Sequence, residues 1–347
     1  MHFASDNTSP AHPAILEAMA EANSGRSAAY GADALTRRAE AALRDLFEAP
    51  EARVYLVAAG TAANAILLSS LAKPWETVFA ARTAHIEEDE CGAVPFMTGG
   101  GTITLVDGRD GKIDADALGQ AMGALGGRDV HGHAPGPVSL TQATEKGTLY
   151  RPDELAEIAT RTKGAGVPLH MDGARFANGV AALDVSPADL TWRAGVDAIS
   201  FGGTKNGCVG LEAMVIFDPE LAPDIERHRM RSGHLLSKQR YLAAQLLAYL
   251  EEGLWLDLAR QANQSAAHLA KGLSGKNELR LLYPAEANIL FFDAPRGLHR
   301  RLFAAGAEYH LWSGPLDGGP EDDWLTARLV CDWSIDKGDI DRFLDLL

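Results

Sequence analysis

Asp172 and Lys205 each stand where a short apolar run gives way to small and polar residues. The first lies in Leu169-His170-Met171-Asp172-Gly173-Ala174-Arg175, the second in Ile199-Ser200-Phe201-Gly202-Gly203-Thr204-Lys205-Asn206. Such runs read as buried parallel strands whose C-terminal ends carry a site. A carboxylate can keep a ring nitrogen protonated, and a lysine amine can hold an aldehyde and exchange it for a substrate amine. A third run, Val57-Ala58-Ala59-Gly60-Thr61-Ala62-Ala63-Asn64, reads as a strand, a tight turn and a helix start. Gly60 allows close backbone approach there, Thr61 offers a hydroxyl, and the helix N-terminus favours a phosphate. Ring nitrogen, aldehyde carbon and phosphate are the three anchors of pyridoxal phosphate (PLP). Each piece also has a plainer reading: a helix-capping aspartate, a solvated lysine, an ordinary strand–helix turn.

The elements that must position these residues alternate. Helices are expected after Pro13 and from Asp33 to Leu46. Strands follow at 54–57, 77–80, 103–106 and 138–141, with helices at 62–71 and 153–163. Another strand is expected at 213–217. Strands alternating with helices predict an α/β fold whose mostly parallel mixed sheet is sandwiched by helices. After about residue 237 the pattern changes: a long helix from Gln239 to Glu251, more helix to about Leu273, then strands at 288–292 and 327–331 around a helix near 298–305. That predicts a small C-terminal α+β domain. The expected division is 1–28 as an N-terminal segment contributing to site and interface, 29–237 as the large cofactor-binding domain, and 238–347 as the small domain.

The bulk numbers narrow the class. The chain has 347 residues, 46% hydrophobic and 23% charged, enough for one large and one small domain with a substantial core. A formal net charge of −15 disfavours nucleic acid and anionic membrane as partners. Cys91, Cys208 and Cys331 are scattered, with no CxxC or Cys/His cluster, so no metal site is expected and a reducing compartment fits. There is no basic-then-apolar leader and no apolar run of membrane-spanning length, so the expected location is the cytoplasm.

Together these motifs resemble the low-specificity L-threonine aldolases, fold type I PLP enzymes related to aspartate aminotransferase. The resemblance runs the length of the chain. Phe3-Ala4-Ser5-Asp6 resembles the family's opening, Tyr30-Gly31-Ala32-Asp33 its Tyr-Gly-x-Asp, and Ala59-Gly60-Thr61-Ala62-Ala63-Asn64 its Ser-Gly-Thr-x-Ala-Asn. His85, Glu90 and Gly92-Ala93 are similar to its His…Glu-x-Gly-Ala segment, and Asp129-Val130-His131 to a second histidine motif. His170–Arg175 is nearly the family signature, and Thr204-Lys205 stands where the family has Ser-Lys. Two segments depart. Thr141-Gln142-Ala143-Thr144-Glu145 replaces Glu-Asn-Thr-His, and Gly233–Gln239 replaces Gly-Gly-Gly-Met-Arg-Gln, with Lys238 as the cation left for a phosphate.

The resemblance implies cleavage of threonine or allo-threonine to glycine and an aldehyde. A phenylserine-preferring aldolase or a β-eliminating lyase is the alternative on the same scaffold, and a PLP-binding protein without catalysis a third class. Lys205 would carry the cofactor aldehyde, Asp172 pair with the ring nitrogen, and Gly60, Thr61, Thr204 and Lys238 serve the phosphate region. His85 would stack on the ring. Arg328 would take the substrate α-carboxylate as a bidentate fork, with Ser5 and Arg175 completing the clamp; Arg175 could instead sit near the ring oxygen. His131 is the candidate for the β-hydroxyl proton, with His133 its competitor. Tyr30 and Lys238 would reach across the interface of a homodimer or dimer of dimers.

Overall fold

The computed structural model describes residues 1–125 and 129–347. A seven-stranded sheet forms the centre. Its strands are β1 (Arg53–Val57), β2 (Glu76–Ala81), β3 (Thr102–Val106), β4 (Ala134–Thr141), β5 (Leu169–Gly173), β6 (Ala198–Gly202) and β7 (Glu212–Ile216). Their order across the sheet is β1-β7-β6-β5-β4-β2-β3. All adjacent pairs from β6 through β3 are parallel, whereas β7 runs antiparallel to both β6 and β1. The C-terminal ends of β1, β2, β4, β5 and β6 therefore open on one edge, and β7 begins there. Strands β5, β6 and β7 are buried throughout, covered on both faces, with His170, Asp172, Ser200 and Glu212 the polar side chains buried among their apolar ones.

The second sheet is antiparallel, in the order β10-β11-β9-β8. It is built from β8 (Arg280–Leu281), β9 (Ile289–Pro295), β10 (His310–Leu311) and β11 (Trp324–Val330). Alternation along β9 and β11 gives it two faces. Leu290, Phe292, Ala327 and Leu329 join one core with the C-terminal end of the long helix Leu254–Ser274, whereas Ile289, Phe291 and Val330 cluster on the other face. The helix Arg240–Leu250 and the first half of Leu254–Ser274 pack instead into the core of the large sheet, through Leu242, Leu246, Trp255 and Leu258. Glu252, at φ 50°, separates these two helices, next to the end at Glu251 that the sequence gives the first of them.

The N-terminus is pinned to the small sheet. Phe3 is fully buried and meets the Phe343 ring edge-on at 5.1 Å. Its N–H donates to the Glu308 carbonyl, and its carbonyl accepts from Val330 N–H. This anchor delivers the next three residues to the site.

Candidate active site

Two glycines let the strand ends that carry Asp172 and Lys205 approach each other. A Cβ on Gly173 would lie 2.6 Å from the Ser200 carbonyl, and one on Gly202 2.7 Å from the Ala174 carbonyl. Asp172 is buried at the end of β5. Its Oδ1 accepts from Ala174 N–H at 2.9 Å and its Oδ2 from Asn64 Nδ2 at 2.8 Å. Lys205 follows β6 in a single helical turn, Thr204–Asn206. Among the described residues it joins no ion pair.

Asn64 ties the site together. Its Nδ2 also donates to Glu90 Oε1 at 2.9 Å, and its Oδ1 accepts from Ser200 Oγ at 2.7 Å. Glu90, with no exposed side-chain surface, lies 2.8 Å from His85 Nδ1. That hydrogen bond raises the proton affinity of His85, outweighing the opposing effect of burial. His85 also donates its backbone N–H to Glu145 Oε1, which accepts from Thr141 Oγ1 as well. Burial pushes the Glu145 carboxyl up to about 7.

The cradle is the helix Gly60–Leu71, which has no side-chain cap on its first turn, so its leading N–H groups are free for an anion. Thr204 is bound differently from the expectation. Its hydroxyl donates to the Leu211 carbonyl and accepts from Leu211 N–H, closing the loop before β7. Beneath the cradle stands Glu212, 4% exposed, with Oε2 unpartnered; burial pushes its carboxyl up to about 7.

Asp6 belongs to the family-like opening Phe3–Asp6, but the sequence gives it no role at the site. It is 1% exposed and grips Arg175 through two bonds, Nε to Oδ2 at 2.6 Å and Nη2 to Oδ1 at 2.8 Å. Burial works to raise the Asp6 carboxyl, but Arg175 and then Lys205 hold it below its ordinary range. Two N–H groups of Arg175 are thus committed to Asp6 rather than turned to a substrate. Arg328 is the freer guanidinium. Its Nη2 reaches the Ala4 carbonyl at 3.3 Å, its Nε is buried without a partner, and it lies 5.0 Å from the Trp312 ring centroid. Ser5 Oγ caps its own turn by accepting from Asn7 N–H.

The two expected histidines, His131 and His133, are not brought to this edge within one chain. His131 and His133 are exposed and lie in the turn and approach leading into β4 at its N-terminal end, the opposite edge of the parallel sheet. A strand the length of β4 separates that edge from Glu145, so the chain's own His131 is remote from its own Lys205. Lys238 is exposed and next to Ser237, whose carbonyl accepts from Tyr30 N–H at 3.0 Å. Tyr30, 58% exposed, faces outward beside it. The groove of about 610 Å³ that adjoins Ala59 and Thr61 is lined instead by Arg231, His228 and His234.

Comparison with known proteins agrees with this geometry. The Beta-eliminating lyase family profile matches residues 2–294. A low specificity L-threonine aldolase of Pseudomonas aeruginosa is 41% identical over 334 residues, covering 96% of this chain and 93% of that protein. The chain belongs to the β-eliminating lyase family, among its low-specificity L-threonine aldolases. Threonine aldolase of Leishmania major superposes with a TM-score of 0.91 at 28% identity, over 99% of this chain and 98% of that one. Serine palmitoyltransferase of Sphingomonas wittichii, at 16% identity and TM-score 0.72, shares the fold over 100% of this chain and 86% of that one.

The cofactor of this family is pyridoxal phosphate, and the residues present fit it. An uncapped helix N-terminus, a buried carboxylate with a free lysine beside it, and a histidine held by a buried glutamate meet at one edge. Of the residues that do this, Asn64 and Glu212 carried a readable signal. Asn64 is the one polar side chain inside the apolar run Ala62–Leu68, and Glu212 is a charge opening the apolar run Ala213–Ile216. The pairing of Asp6 with Arg175 had none.

Proposed function

We propose that this chain cleaves β-hydroxy-α-amino acids, threonine and allo-threonine among them, between Cα and Cβ to give glycine and an aldehyde. The observation that carries the reading is the meeting of Lys205, Asp172 and the Glu90-held His85 at one sheet edge, with Arg328 open beside the N-terminal segment. When bound, PLP supplies an electron sink for the bonding pair of Cα–Cβ. Lys205 would hold its aldehyde, Asp172 its ring nitrogen, and the N–H groups at Gly60 and Thr61 its phosphate. His85 would cover the ring, fixed by Glu90.

Arg328 binds the substrate α-carboxylate and thereby fixes the direction of the bond to be broken. Asp6 holds Arg175, and with it the N-terminal segment whose Ala4 carbonyl touches Arg328. The β-hydroxyl proton is assigned to His131 of a second copy of the chain, since a chain's own His131 stands at the far edge. Tyr30 and Lys238, paired on the surface, would serve that neighbour in the same way, in a homodimer or a dimer of dimers. Phe96, 83% exposed and lining the cradle groove, supports such an interface.

The division into 1–28, 29–237 and 238–347 is proposed with it, the last segment lending its first two helices to the large sheet. No helix among the described residues is long and apolar enough to cross a membrane. With three free cysteines, the proposed location is the cytoplasm. The test is a product assay with threonine, allo-threonine and phenylserine. Glycine plus aldehyde supports the reading, whereas ammonia plus a keto acid assigns the chain to β-elimination.

A further inference from the structure

Lys146 directly follows the segment Thr141–Glu145, where the chain leaves its family's pattern. It is 8% exposed, and its ammonium stands 4.7 Å from the Phe291 ring centroid, 5.2 Å from that of Trp312 and 5.7 Å from that of Tyr283. An ammonium has three N–H donors, and aromatic rings desolvate it without supplying lone pairs to accept them. Among the described residues Lys146 Nζ neither donates to a protein acceptor nor joins an ion pair. The nearby carboxylates are Glu88 and Glu145, and Glu145 already serves His85 and Thr141.

Arg328 stands on the same ground. It is paired across the sheet with Phe291, so both side chains project from one face. It lies 5.0 Å from the same Trp312 ring that Lys146 approaches. No carboxylate forms an ion pair with Arg328 either, among the described residues, because Asp6 is held by Arg175. Two cations thus share one indole, and among the described residues neither of them forms an ion pair. One α-carboxylate needs only one guanidinium fork.

We propose that Lys146 is a specificity-determining residue that receives a second acidic group, so that the site accepts β-hydroxy-α-amino acids whose side chain ends in a carboxylate. This rests on the retro-aldol reading and names its substrate class. For 3-hydroxyaspartate the Cα–Cβ bond breaks, the β-hydroxyl loses its proton and Cα gains one. The products are glycine and glyoxylate, with no oxidant or reductant required.

Two amino acids that lack the β-hydroxyl, and so are bound but not cleaved, isolate the contact. Aspartate and 2-aminobutyrate binding to the holoenzyme is measured by calorimetry for the native chain, Lys146→Met and Lys146→Arg. Loss of a desolvated charge-assisted contact predicts a 10- to 100-fold weaker aspartate affinity in Lys146→Met, with 2-aminobutyrate changed less than about two-fold. Lys146→Arg should keep most of the aspartate affinity, which also shows that the site still folds. In the native chain, kcat/KM for 3-hydroxyaspartate should exceed that for threonine. Equal loss for both ligands, or loss for neither, overturns the proposal. Native enzyme that cleaves neither substrate to glycine overturns the underlying reading instead.

Discussion

Asp6→Asn should destabilise the chain by about 3 kcal/mol, a sizeable part of the ~5–15 kcal/mol that holds a native protein together. The two oxygens of Asp6 accept Arg175 Nε and Nη2, and Oδ2 also accepts Asn288 Nδ2 at 3.1 Å. Asparagine keeps the volume and one acceptor but removes the anion. Removing one partner of a buried pair costs about 3–5 kcal/mol, and the retained acceptor places this change at the lower end. In urea, with a slope of about 3 kcal/mol per molar, the midpoint should fall by about 1 M. The acid limb supplies a second signature. A carboxyl held below its ordinary range stabilises the fold above its unfolded pKa, and that stability is lost as pH falls through the lowered folded value. Asp6→Asn should erase this acid-side loss. Replacing both partners, Asp6→Leu with Arg175→Met, should cost less than Asp6→Asn alone, because no charge is left buried and unpaired. A midpoint within about 0.2 M of the native chain, or a double variant as weak as the sum of its singles, would refute the reasoning.

Three further outcomes are expected. Gly202→Ala should cost several kcal/mol or prevent folding, since its Cβ would press to 2.7 Å from the fixed Ala174 carbonyl, whereas Gly60→Ala meets only Glu212 at 4.0 Å and should lie within about 1 kcal/mol of native in thermal unfolding. Glu212, raised by burial to about 7, stabilises the fold fully below its ordinary 4.5 and loses roughly 3 kcal/mol as pH climbs to 7; Glu212→Gln should flatten that slope of urea midpoint against pH, and an unchanged slope contradicts the assignment. Co-expressed Lys205→Ala and His131→Ala chains, each expected to be nearly inactive alone, should regain activity in mixed assemblies, because one interface then holds an intact pair; no regain would show that His131 does not act between chains.

The strands could be read because burial on both faces favours short apolar runs, as in Ala213–Ile216 of β7, and because in β5 and β6 the apolar residues give way to small and polar ones at the C-terminal ends. Their neighbours could not. Nothing in Ala213–Ile216 states that β7 runs backwards between β1 and β6, since strand direction is set by the connection and by partners distant in sequence. The two-residue strands β8 and β10 are shorter than any period that alternation can display. The pairing of Asp6 with Arg175 was illegible for a related reason. Asp-Asn-Thr-Ser-Pro is turn chemistry wherever it occurs, and only the Phe3 anchor, through contacts with Glu308 and Val330 far along the chain, buries it against Arg175.

His131 shows where motif and geometry carry different information. Residue type and order along a chain say that a histidine belongs to this chemistry, but not whose site it serves. Parallel strands give each loop an edge: residues after β2, β4, β5 and β6 meet at one, and residues before β4 lie at the other. A histidine that acts on the substrate from a position before β4 must therefore belong to another copy. Tyr30 and Lys238 are exposed side by side, with Tyr30 N–H donating to the Ser237 carbonyl, and would serve a neighbour from that surface. Lys146 is the converse case. It follows β4, on the site's own edge, beside Arg328 and away from the exposed groups that would serve a neighbour. Its effect on substrate choice should persist in mixed assemblies whatever chain supplies His131, which separates the chain that selects the substrate from the chain that moves its proton.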